Sequence, residues 1–284
     1  MHFINSNTGF MTGNANARLY KTTDAGLTWT NISNVNGFPL DDFSSVYAID
    51  ENNIYLASNA NKNVYHYTTA NGWTTSSLSG TGAVITDMIF KDANTGFVSG
   101  NGNFFAYTTN AGTTWTQSNA PSTVGQRDID YTDGVLYMAG DYQNIYKSTN
   151  NGVTWSSIYF YDNANAYQPP LNSPAIIYGI SVNGNDIALV GQHGITNISN
   201  DGGSSWRNKN YSVSNNYGST TYGSIFVQTT GTGIPVTGNI WLGPYQGGNV
   251  LYTSNGGTNW STKPSPNVSS VKTIQFINTN TGYI

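Results

Sequence analysis

Carboxylates are the residues of this chain whose type and spacing could do chemistry. Asp128 and Asp130 in "QRDIDY" bracket a single residue, and strand alternation sets two such side chains on one face. Asp87 occupies a similar apolar stretch, "ITDMIF". Two carboxyl groups about 5–10 Å apart are the machinery of glycoside hydrolysis, one as acid and the other as base or nucleophile. A polar lining of carboxylates and water is the alternative that asks nothing more of them. The rest of the chemical inventory is thin. Glu51 is the only glutamate, Arg18, Arg127 and Arg207 are the only arginines, and His2, His66 and His193 are scattered. No metal spacing such as HExxH is present, and the absence of cysteine excludes thiol catalysis, disulfides and Cys-built metal centres. The expectation is no cofactor and no metal.

Composition narrows the partners. Only 8% of the 284 residues are charged and the net charge is −4, which leaves no clustered cations to neutralise phosphates. Nucleic acid is therefore excluded as a partner. No apolar run is long enough for a membrane helix, so direct membrane insertion is not expected. "MHFINSNTGF" lacks the basic start and apolar stretch of a signal peptide. The Asn-, Thr-, Gly- and Tyr-rich make-up nevertheless points to an extracellular or cell-surface protein, whose export signal would lie outside this segment.

The elements that must position these residues repeat. "KTTDAGLTWT" (residues 21–30) recurs as "TTNAGTTW" (108–115), "STNNGVTW" (148–155), "SNDGGSSW" (199–206) and "TSNGGTNW" (253–260), with a shortened "TTANGW" at 68–73. The closing residues Trp29, Trp73, Trp115, Trp155, Trp206 and Trp260 recur at a period of about 40–55 residues, the signature of propeller blades or another array. Before most boxes lies a short apolar strand, a polar turn and a second apolar strand ending near glycine, as in "IFKDANTGFVSG". A third strand leads into the box and a fourth follows it. Four short strands per unit make a blade, and no segment carries a helical period. The expected fold is an all-β, six-bladed β-propeller spanning 1–284, with blades at about 1–40, 41–80, 81–122, 123–170, 171–215 and 216–270. "FINTNTGYI" (276–284) is in phase with "FINSNTGFM" (3–11), so 271–284 reads as a closing or seventh-repeat strand. A seven-bladed ring or a segment of a longer array remains an alternative.

The box resembles the Asp-box, or BNR, repeat, Ser/Thr-x-Asp-x-Gly-x-x-Trp, across nearly the whole chain. Its layout is closest to the repeat group of the photosystem II assembly factors and of sortilin-like receptors. The resemblance implies a propeller; the wider family includes sialidases, xyloglucan-cleaving glycosidases, receptors and assembly factors. A sialidase would need an arginine triad, a tyrosine nucleophile and a glutamate partner, which the positions of Arg18, Arg207 and Glu51 do not supply. In the box itself, Asp24 and Asp201 alternate with Asn110, Asn150 and Asn255. Asparagine can cap a turn but cannot act as a general acid or base. A role common to all boxes is therefore structural. The Asp or Asn caps the turn, Gly26, Gly112, Gly152, Gly203 and Gly257 supply positive φ, and the tryptophans cover apolar space between sheets.

With strands labelled A to D in chain order, the boxes are C–D turns on the side of the A–B turns. The opposite side carries the B–C loops, among them "NANA" (14–17), "NANKN" (59–63), "DYQN" (141–144), "QHG" (192–194) and "PYQGG" (244–248), and the long connector 159–175 with Tyr159, Phe160, Tyr161 and Tyr167. Tyr142–Gln143 and Tyr245–Gln246 take equivalent positions in two blades, and His193 joins them. Stacking rings with neutral hydrogen-bonding groups suit protein or glycan recognition. The expected function is a non-catalytic binding or scaffold propeller. A glycosidase using Asp87, Asp128 and Asp130 is the alternative, and a structural repeat within a larger adhesin or fibre, with further repeats of the same polypeptide as partners, is a third.

Overall fold

The computed structural model describes residues 1–13, 18–79, 84–121, 125–158, 176–192, 195–208, 222–228, 239–245, 249–263, 270–278 and 280–284. Six four-stranded antiparallel sheets follow one another, each with its strands in chain order A-B-C-D. Blade one holds His2–Phe3, Gly9–Thr12, Leu19–Thr22 and Thr30–Asn31. Blade two holds Phe43–Asp50, Asn53–Ser58, Asn63–Thr68 and Gly72–Ser77, and blade three Ile85–Phe90, Gly96–Gly100, Phe104–Thr108 and Thr116–Asn119. Blade four holds Gln126–Thr132, Val135–Gly140, Ile145–Ser148 and Ser156–Ile158. Blade five holds Ile177–Asn183, Asp186–Gly191, Thr196–Ser199 and Arg207–Asn208, and blade six Tyr222–Gln228, Asn239–Pro244, Val250–Thr253 and Ser261–Lys263. The fold is the expected six-bladed β-propeller. A short hairpin, Gln275–Phe276 with Gly282–Tyr283, follows blade six. The chain divides into two compact units, Met1–Ile129 with Asn151–Val153, and Asp130–Asn150 with Thr154–Ile284.

Burial explains the strand patterns. B strands such as "DIALVG" and "GFVSG" are buried at every position, because both their faces are covered, and so they read as continuous apolar runs. A strands alternate, as in "ITDMIF" with Ile85, Met88 and Phe90 buried. The core is a series of layers between successive blades rather than one centre. Blades two and three share Tyr55, Val64, Ile85, Met88, Phe90 and Phe104, and blades four and five share Tyr137, Ile145, Ile180, Leu189 and Trp206. Box tryptophans close these layers: Trp115 meets Phe90 edge-on at 6.2 Å, and Trp260 packs on the layer between blades five and six. Each such ring removes enough apolar surface from water to contribute about 1.5–3 kcal/mol.

The repeated box is a turn held by its own side chains. Asp24 Oδ1 accepts from the Thr28 amide at 2.9 Å and from the Thr22 hydroxyl at 2.7 Å. Thr22 Oγ1 in turn accepts from the Gly26 amide at 2.9 Å. Asn110 repeats this: its Oδ1 accepts from the Thr114 amide and the Thr108 hydroxyl, each at 2.9 Å. Only the second arm differs. The Thr28 hydroxyl donates to Asp24 Oδ2 at 2.5 Å, whereas Asn110 Nδ2 donates to the Thr114 hydroxyl at 2.8 Å. A hydroxyl can do either, which is why Asp and Asn interchange between blades. Box and A–B turn lie at the same end of the blade and are bonded there: Ala25 to Asn7, Ala111 to Asn94 and Gly202 to Asn185, all N–H to carbonyl at 2.9 Å.

Box glycines also receive the neighbouring blade. A Cβ on Gly152, where φ is +80°, would lie 2.1 Å from Phe105 Cε1; on Gly112 it would lie 3.2 Å from Tyr55, and on Gly203 3.0 Å from Ile158. Outer strands add a latch: Ser76 Oγ donates to the Gly112 carbonyl and Ser118 Oγ to the Gly152 carbonyl, each at 3.0 Å.

Candidate functional site

The B–C turns lie at the blade end opposite the boxes, tied to the chain's entry into each A strand. Amide-to-carbonyl bonds join Asn59 to Asp42 at 2.7 Å, Asn101 to Val84 at 3.2 Å and Gln192 to Ile176 at 2.9 Å. The glycine ending the B strand allows this closeness, since a Cβ on Gly100 or Gly191 would sit 2.3 or 2.2 Å from the entering carbonyl.

Blade four departs from that pattern. Its turn, Asp141–Gln143, carries Tyr142 at φ 60° and ψ 28°, the left-handed region that costs a residue with a Cβ about 1 kcal/mol or more. The turn is fastened below the ring: the Asn144 amide donates to the Asp141 carbonyl at 3.4 Å, Asn144 Nδ2 donates to the same oxygen at 2.9 Å, and the Gly140 amide donates to the Asn144 carbonyl at 3.1 Å. The result lifts a tyrosine ring that is 57% exposed. The side chain of Gln143 falls outside the described residues.

Tyr245 follows the B strand of blade six as Tyr142 follows that of blade four, but its surroundings differ. Its ring stacks on Tyr178 at 4.7 Å and 15°, and Lys272 Nζ lies 3.7 Å from its centroid. Tyr178 is itself met by Gln192 Nε2 at 3.5 Å. Tyr245 is thus half-buried in a Tyr–Tyr–Lys stack rather than offered as a free platform. His193 and Gln246, and Tyr159, Phe160, Tyr161 and Tyr167, lie outside the described residues.

Sequence reasoning missed a polar network at the same end of blade two. Asp41 Oδ2 accepts from the Tyr65 hydroxyl at 2.7 Å and from Asn61 Nδ2 at 2.9 Å. Asn63 Nδ2 donates to the Tyr65 oxygen at 3.1 Å, and the Ser77 hydroxyl donates to Asn63 Oδ1 at 2.8 Å. Burial alone would raise the Asp41 pKa, but hydrogen bonds from Tyr65, Ser58 and Asn61 outweigh it and hold the carboxyl below its ordinary value. "NANKN" signalled a loop; its coupling to Asp41, some twenty residues upstream in the chain, left no local trace.

Of the three aspartates, the structure brings two together. The carboxyl groups of Asp87 and Asp128 converge on one donor, the Ile129 amide. Ser45 Oγ donates to Asp87 Oδ1 at 3.1 Å, and the Ile129 amide lies 3.4 Å from Asp87 Oδ2 and 3.1 Å from Asp128 Oδ1. Asp87 keeps some contact with solvent, but protein crowds its carboxyl group and burial raises its pKa. Asp130 is engaged elsewhere: its Oδ2 accepts from the Val182 amide at 2.8 Å and its Oδ1 from its own strand at Tyr131. Among the described residues no group of His, Asp and Glu is arranged to hold a metal ion.

No protein-family model matches the chain, and no curated protein matches it. Solved structures do. YCF48 bound to a D1 peptide superposes with a TM-score of 0.69 at 15% identity, over 99% of this chain and 87% of that one. YCF48 from Cyanidioschyzon merolae gives 0.67 at 13%, over 99% and 89%. An ancestral GH74 enzyme gives 0.68 at 16%, over 92% of this chain but 37% of that enzyme. At these identities the likeness establishes the fold alone.

Proposed function

We propose that this chain is an exported or surface-held, non-catalytic binding propeller of the Asp-box type. It takes a protein or glycan segment at the blade ends opposite the boxes, with Tyr142 as the anchor. One observation carries the reading: a bulky aromatic residue is held 57% exposed in a strained backbone conformation that its own turn hydrogen bonds enforce. Strain of this kind persists where the surroundings over-determine it, and it concentrates at functional sites. The solved neighbour bound to a peptide supports a protein ligand, and the near absence of charge suits recognition by stacking and neutral hydrogen bonds. The hydrolase alternative keeps one favourable feature, the raised pKa of Asp87. Against it, Asp87 and Asp128 converge on one backbone amide and Asp130 is engaged by the Val182 and Tyr131 amides.

The test is a screen of immobilised peptides and glycans against the wild-type chain, repeated with Tyr142→Ala and Tyr245→Ala. Ligands are expected to weaken about tenfold or more with Tyr142→Ala, as for an aromatic hot spot. Binding that survives this change intact, or no ligand in either collection, rejects the reading.

A further inference from the structure

The shortened box of blade two has a structural consequence of its own. In every other blade the box tryptophan precedes the outer strand: Trp29 before Thr30–Asn31, Trp115 before Thr116–Asn119, Trp155 before Ser156–Ile158, Trp206 before Arg207–Asn208 and Trp260 before Ser261–Lys263. Blade two lacks the Asp or Asn that holds the wider turn. Its hairpin closes at Thr68 opposite Gly72, with Gly72 at φ +67°, so Trp73 falls inside the strand. The outer strand therefore runs six residues, Gly72–Ser77, against two to four described residues in the other blades.

That edge is open. The Leu78 amide donates to the Lys62 carbonyl at 2.9 Å, continuing the register in which Ser76 faces Val64 and Thr74 faces His66. These are the bonded pairs of the ladder, so Trp73, Thr75 and Ser77 turn their N–H and C=O groups away from the sheet. Natural edge strands are guarded by shortness, charge or proline; "GWTTSS" has none of these. Along it runs a groove of about 290 Å³, lined by Thr75, Ser76 and Leu78 on one side and by Thr114, Trp115 and Gln117 of blade three on the other. This is at the small end for a ligand pocket and suits a few side chains of an extended chain better than a whole small molecule.

We propose that the outer edge of blade two is a second docking surface, which captures an extended, uncharged segment of a partner protein by strand addition. Backbone pairs to Trp73, Thr75 and Ser77 provide the affinity, and the groove takes alternate side chains. Among the described residues no charged side chain lines the edge or the groove, so nothing there would offset the cost of desolvating a charged segment, and a neutral one fits. This surface is independent of the Tyr142 loop.

The experiment selects from a displayed library of short random peptides and follows hydrogen exchange of the bound chain. Thr75→Pro removes one outward donor while leaving the inward pairs at Thr74 and Ser76 intact; Ser77→Lys puts a charge on the edge. Selected peptides should slow exchange at Thr75 and Ser77. They should weaken about fivefold or more with either substitution, weaken likewise when their alternate amides are N-methylated, and ignore Tyr142→Ala. If Thr75→Pro fails to fold, Ser77→Lys decides alone. The proposal is overturned if no peptide is selected, if the selected peptides ignore both edge substitutions, or if the wild-type chain dimerises with the same amides protected, which would make a second copy the occupant.

Discussion

Replacing Gly152 by alanine separates the two things a box glycine does. Gly152 has φ +80°, and a Cβ there would lie 2.1 Å from Phe105 Cε1 and 2.3 Å from Cζ, where carbon atoms rest at about 3.5–4.0 Å. Phe105 is fully buried and stacks on Phe97 at 6.3 Å, so it cannot swing clear. The left-handed conformation costs alanine about 1 kcal/mol, and the overpacking adds about 1–3 kcal/mol. Gly134 is the control: its φ is +87°, but nothing lies within 4 Å of its would-be Cβ, so Gly134→Ala should show only the backbone cost. In thermal unfolding each kcal/mol lowers Tm by about 2–4 °C for a chain of this order. Gly134→Ala is expected to lose about that much and Gly152→Ala two to four times as much. Trimming the ring with Phe105→Leu in the Gly152→Ala background should recover part of the difference. Equal losses for the two single alanine variants would refute the claim that box glycines exist to receive the neighbouring blade.

Two further outcomes follow from the box. Hydrogen bonds from Thr28 and Thr22 hold Asp24 at a pKa of about 2, below its unfolded value near 3.9. The stability that it contributes is therefore complete above about pH 4 and fades as pH falls toward 2. Asp24→Asn should fold with the same turn and lose that part of the acid dependence, as read from Tm between neutral pH and pH 2. At Asn110, Ala should cost about 1–2 kcal/mol in denaturant unfolding through the lost cap, whereas Asp should be nearly neutral because Asp24 and Asp201 already make the same bonds.

The boxes were readable because each is a closed local system: Thr22, Asp24, Gly26 and Thr28 satisfy one another within seven residues. Their repetition carried the fold. The candidate site was less legible, because its decisive contacts join residues far apart in sequence. Nothing near Tyr245 announces that Tyr178 and Lys272 will engage its ring, whereas Tyr142, alike in sequence position, is 57% exposed. The Asp87–Asp128 pair was visible as two acidic residues on A strands, but not as neighbours converging on the Ile129 amide. The shortened box of blade two was visible as a missing Asp. That it lengthens an edge strand emerges only from the hairpin register.

The aromatic-to-glycine joints also bear on how such a chain is inherited. Tyr55 with Gly112, Phe105 with Gly152 and Ile158 with Gly203 each place one half of a fit on one repeat and the other half on the next. Duplicating a whole repeat copies a socket and a plug together and so extends the series in phase. Reordering repeats does not, because a plug the size of Phe105 needs a socket shaped as deeply as Gly152. Each joint ties one repeat to the next through the side chain that fills its glycine socket.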